Sequence, residues 1–99
     1  MNIPKKVKVG GHILDVEFTN DCDKINYDEI GKTWVAKNII NINSNYPKSR
    51  QEECLLHELI HNCLYDLQEE QDEAMVERLG TMLYAIIVDN PEIFEKEED

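Results

Sequence analysis

Nowhere in these 99 residues does an apolar run approach the roughly eighteen residues a membrane-crossing helix requires, which excludes a helical membrane span. Basic residues are scarce as well. Ten lysines and arginines stand against 21 aspartates and glutamates, a formal charge of −11. The deficit is local: residues 1–51 carry eight positive and six negative charges, residues 52–99 two and fifteen. Such a surface repels phosphate backbones and anionic lipid, so no direct nucleic-acid partner and no membrane partner is expected. Three cysteines, Cys22, Cys54 and Cys63, are an odd set without a disulfide-framework spacing, and reduced thiols follow. No apolar segment comes after Lys5 and Lys6 as in a secretory signal, so a cytoplasmic location is expected. Internal repeats and low-complexity linkers are missing too.

What is present is 41% hydrophobic and 31% charged, the composition of one soluble globular domain, expected over residues 1–91 with an acidic tail over 92–99. A domain this small has a limited core, so a bound metal would add materially to its stability. Val7 and Val9, the pair Gly10-Gly11, then Leu14, Val16 and Phe18 alternating with Asp15 and Glu17 predict a hairpin with a two-residue turn. After an Asn- and Asp-rich loop over 19–28, β-branched and aromatic residues predict strands over 30–36 and 38–43, the latter with Ile40 and Ile42 on one face and Asn41 and Asn43 on the other. Past Tyr46-Pro47 the period changes to that of a helix. Ser49 and Glu52 have capping-box spacing, and the helix is expected to reach Leu67. Its apolar face would be Leu55, Leu56, Leu59, Ile60, Cys63, Leu64 and Leu67, with Arg50, Cys54, His57, Glu58, His61 and Tyr65 on a second stripe. A second helix is expected from about Asp72 to Val88, with Met75, Val76, Leu79, Leu83, Ile86 and Ile87 as its core face and Glu73, Glu77 and Tyr84 on a neighbouring stripe. The predicted class is α+β, a three- to four-stranded sheet packed on two helices.

The chemistry lies in His57-Glu58-Leu59-Ile60-His61, an H-E-x-x-H pattern. Histidines four apart on a helix project side by side, close enough for both imidazoles to hold one Zn²⁺ at about 2.0–2.1 Å, and the intervening glutamate lies beside the open coordination position. A catalytic zinc usually takes a third protein ligand. His12 is one candidate; the carboxylates of the second helix are better placed.

The stretch Glu73-Ala74-Met75-Val76-Glu77-Arg78-Leu79-Gly80 resembles the third-ligand helix of thermolysin-like gluzincins. With the preceding Ile-Ile-Asn-Ile-Asn strand, the Pro-containing loop and the Leu-Leu-His-Glu-Leu-Ile-His helix, residues 26–90 look like the minimal zincin core of ImmA/IrrE-type metallopeptidases and their small phage-encoded relatives. The eleven residues between His61 and Glu73 are a shorter interval than thermolysin has.

The resemblance implies a zincin-like fold and a zinc metallopeptidase. It makes Glu73 the third metal ligand beside His57 and His61, and Glu58 the catalytic base. Glu77 would sit behind the ligands, accepting a hydrogen bond from the far nitrogen of one histidine, in the first place His57. Oxyanion stabilisation, which a further domain supplies in thermolysin, falls here to Tyr65, Tyr84, Tyr46 or His12. An extended substrate would add to a sheet edge near Trp34–Asn43. The implied partner is a protein or peptide substrate, a regulatory protein of a mobile element being the family's suggestion. Two alternatives stay open: a zinc-stabilised interaction module without turnover, and an acidic inhibitor that mimics nucleic acid.

Overall fold

Gly10 and Gly11 take φ of 58° and 84°, the left-handed values a tight turn between twisted strands needs. They fold β1 (Lys6–Val9) onto β2 (His12–Thr19) as an antiparallel hairpin with Val9 opposite His12. The computed structural model describes residues 1–95 and has the α+β class expected, with a four-stranded mixed sheet and two helices. The third strand is shorter than its composition suggests. β3 spans Gly31–Trp34, because the chain turns through a 3-10 segment at Val35–Lys37 that closes on Asn38 at φ 53°. β4 (Ile39–Asn43) returns antiparallel to β3 and lies parallel to β2, in the order β1-β2-β4-β3. The expected edge near Trp34–Asn43 therefore divides: Gly31–Trp34 is an edge strand, and Ile39–Asn43 is interior.

One face of the sheet carries the core. Leu14, Val16, Ile40 and Ile42 pack with Cys54 and Leu55 of α1 (Lys48–Asp66). Asn41 and Asn43 alternate to the other face, as their period demands, yet are buried there as well. Asn43 donates to the Glu29 carbonyl at 3.0 Å and accepts the Asn45 N–H at 2.9 Å, which ties the loop before β3 to β4. Asn41 accepts the Trp34 indole N–H at 3.0 Å.

α1 begins after Pro47 without a side-chain cap, and Ser49 lies inside it, so the capping box is not made. Glu52 is instead buried and accepts the Tyr84 hydroxyl at 2.7 Å. The sheet also covers a different face of α1 from the one its leucines define. Cys54, Leu55, Glu58 and Asn62 are buried, whereas Cys63 and Leu67 are exposed. Gly31 is the reason: a Cβ there would overlap Cys54 Sγ and come within 3.3 Å of Glu58 Cγ, so only glycine lets β3 cross so close to the helix. Burial under the strand, helped by Glu58 and Glu53, pushes the Cys54 thiol from 9.0 up to about 12. An aromatic disulfide reagent at about pH 8 should therefore titrate exposed Cys22 and Cys63 rapidly and reach Cys54 only on unfolding. Three equally fast thiols would contradict this packing.

α2 (Glu73–Asp89) packs chiefly on α1, and α1 in turn packs on the sheet. The expected core face of α2 is accordingly corrected. Val76 and Gly80 are buried, but Met75, Leu79, Leu83 and Ile86 are 41–50% exposed because no strand lies over them. The chain beyond α2 forms a 3-10 turn at Pro91–Phe94, which spans the boundary at residue 91 and enters the expected acidic tail; residues 96–99 of that tail lie outside the described residues. Among the described residues no helix is long and apolar enough to cross a membrane.

Candidate metal centre

Four residues apart on α1, His57 and His61 stack edge to face with ring centroids 4.8 Å apart and Nε2 atoms 3.1 Å apart. α2 approaches them closely at Gly80, where a Cβ would sit 3.4 Å from His57 Cα. The start of α2 is set by Asp72, whose carboxylate accepts the N–H groups of Ala74 at 3.1 Å and Met75 at 3.3 Å. Glu73 is thereby the first helical residue and faces the imidazoles. Its Oε1 lies 2.9 Å from His57 Nε2 and its Oε2 3.0 Å from His61 Nε2. Replacing Asp72 by alanine should cost about 1 kcal/mol of stability and loosen Glu73, weakening metal binding several-fold. Denaturant titration and a competition titration with a chromophoric chelator measure the two effects, and an unchanged affinity would show that the cap does not position the ligand.

The donor set fits a divalent cation. Two imidazole nitrogens and a carboxylate converge, Glu73 meeting each histidine through a different oxygen at 2.9 and 3.0 Å, and one ligand atom from each residue lies within 4.8 Å of the others, near enough to share one ion. The Nδ1 atom of His61 is paired with Gln71 Oε1, which can only accept. In a neutral His61 this contact puts the proton on Nδ1, so that Nε2 presents its lone pair toward Glu73 and His57. A divalent cation would satisfy these donors, and two nitrogens with one oxygen are a set that zinc accepts.

The contact behind the ligands is a correction to the sequence reading. Glu77 lines the cavity beside His57, but no hydrogen bond joins it to either histidine among the described residues. Gln71, from the turn before α2, takes that role on His61. Nothing but its place two residues before Glu73 could have marked it.

Glu58 is buried at 6% exposure and accepts a hydrogen bond from the Thr33 hydroxyl at 3.3 Å. Asn62, one turn on, donates to Thr33 Oγ1 at 3.3 Å and to the Glu58 carbonyl at 2.8 Å. Burial raises the Glu58 carboxyl above its ordinary value, the two imidazoles and the Thr33 hydroxyl oppose that rise, and Glu73 adds a smaller upward push. The sequence reading singles out neither Asn62 nor Thr33: the i+4 spacing from Glu58 could have marked Asn62, whereas Thr33 arrives from the edge strand and carries no local signal.

Two clefts open on either side of these groups. One of about 290 Å³ is lined by Ile30, Gly31, Arg50, Glu53, Cys54 and Thr81 beside His57, Glu58, Glu73 and Glu77. The other, about 460 Å³, runs along Lys32, Thr33, Val35 and Tyr65. Gly31 of the β3 edge belongs to both, so the strand forms one wall of a continuous groove. Of the candidate phenols, Tyr65 lies in this groove and is exposed, while Tyr84 is held at Glu52, whose carboxylate raises its ionisation. Tyr46 and His12 line neither cleft, and His12 is exposed beside the hairpin turn. Comparison with protein-family models, with curated proteins and with solved structures found no match to this chain.

Proposed function

We propose that this protein is a cytoplasmic zinc-dependent metallopeptidase that hydrolyses extended segments of one or a few protein targets. The observation that supports it is the convergence of His57, His61 and Glu73 within 3.1 Å of one another, beside a buried Glu58 and an edge strand with one unpaired side. His57, His61 and Glu73 would hold the zinc, which would supply the positive charge to acidify a water and polarise a peptide carbonyl. Glu58 takes the proton of the attacking water and returns it to the departing amine, the two-way transfer of a carboxylate acting first as base and then as acid. Thr33 and Asn62 hold Glu58 in place through both transfers. The free edge of β3 hydrogen-bonds an extended backbone by strand addition, laying the scissile bond across the groove. Tyr65, at the groove, is the phenol available to the developing oxyanion.

Elemental analysis of the purified chain should give close to one zinc per chain. Incubation with unfolded casein should give fragments whose formation stops with a zinc chelator and resumes on adding zinc back. Zinc near zero would remove the proposal, and full zinc without cleavage of casein or of any candidate partner would leave the interaction-module reading in its place.

A further inference from the structure

The side of α2 opposite its contact with α1 carries an apolar stripe that no described residue covers. Met75, Leu79, Met82 and Ile86 follow one another at spacings of four, three and four, the seam spacing of paired helices. They are 50%, 45%, 59% and 43% exposed, and Leu83 beside them 41%. Apolar surface gathered on one helix face in this way marks a contact with another molecule. At about 100° per residue, Arg78, Ala85 and Asp89 border one edge of the stripe, and Leu83 and Asn90 the other. Although this half of the chain is strongly acidic, α2 has no acid between Glu77 and Asp89, and Glu73 and Glu77 lie on its far side at the metal cleft.

We propose that this stripe is a homodimer interface in which the α2 helices of two copies pack antiparallel about a two-fold axis near Met82 and Leu83. The charges select this occupant. A two-fold axis perpendicular to an antiparallel pair keeps like edges on the same side, so Arg78 of each copy comes beside Asp89 of the other. Both residues are exposed, and neither has an ion-pair partner among the described residues. A parallel pair would exchange the edges, setting Arg78 and Asp89 of each copy against the Leu83 and Asn90 edge of the other and leaving both charges unmatched, and a basic partner helix would meet Arg78 along the edge of its contact. Two copies of the stripe instead cancel charge and cover Leu79, Met82, Leu83 and Ile86 of each other. The groove stays open, since Glu73 faces away from the axis.

One helix pair is a small interface, so dissociation in the micromolar range is expected. Sedimentation velocity of the full chain over about 1–100 µM should show the mass doubling with concentration. Met82→Glu should remain monomeric throughout, with its circular dichroism and metal content unchanged. Arg78→Asp and Asp89→Arg should each weaken association about tenfold, and the double swap should restore it. A chain that stays monomeric, a dimer that survives Met82→Glu with its fold intact, or a double swap as weak as its parents would overturn the proposal.

Discussion

Exchanging Glu58 for glutamine should lower peptide hydrolysis by about 10²–10⁴-fold while zinc stays at one per chain. The amide has the carboxylate's shape and can still accept the Thr33 hydroxyl, so the buried site keeps its packing and its hydrogen bond. It cannot take a proton from water. Glu58 is not among the converging donors, and metal content therefore does not depend on its charge. The alternatives answer the same substitution differently. A non-catalytic zinc module would bind its partner as before. An acidic nucleic-acid mimic would bind with strong salt dependence and would survive His57→Ala. Cleavage that persists in the glutamine variant at the unmutated rate would exclude Glu58 as the base.

Loss of the metal should be the largest stability change open to a single substitution here. With free zinc about a thousand-fold above its dissociation constant, binding contributes about 4 kcal/mol to folding. A domain of this size shifts its Tm by about 4–8 °C for each kcal/mol, so chelation should lower it by roughly 15–30 °C. His61→Ala and Glu73→Ala should melt where the chelated protein melts and should not respond to added zinc, because each leaves two donors of three. The Asp72 cap gives the scale for comparison, at about 1 kcal/mol. A bound metal would matter this much because the core is small, with Leu14, Val16, Ile40 and Ile42 packing on Cys54, Leu55 and the part-buried Leu59 of α1. A Tm indifferent to both chelator and zinc would refute the metal centre.

Legibility of the site from sequence followed the range of the interactions involved. His57 and His61 were readable because helical spacing alone makes them neighbours, and the start of α2 was expected at about Asp72, though its capping role was not singled out. Gln71 on His61 and Thr33 on Glu58 were not, since a polar turn and an edge strand reach the site only after the chain has folded back. Tyr84 and Glu52 show the converse. Each had a plausible local role, as oxyanion contact and as capping partner, and tertiary packing joined them to each other.

By itself the amino-acid order determined the hairpin at Gly10-Gly11, the helical register of the two histidines, the start of α2 and the concentration of acid in the second half, because each depends on backbone preference or spacing within a few residues. Only the tertiary structure decided that β3 is the edge, that the sheet covers Cys54 and Glu58 rather than Cys63 and Leu67, and that α2 keeps an open apolar side. Periodicity identifies which side chains share a face. What covers that face depends on which distant segment can approach, and here the missing side chain of Gly31 lets the strand lie against α1 at the site.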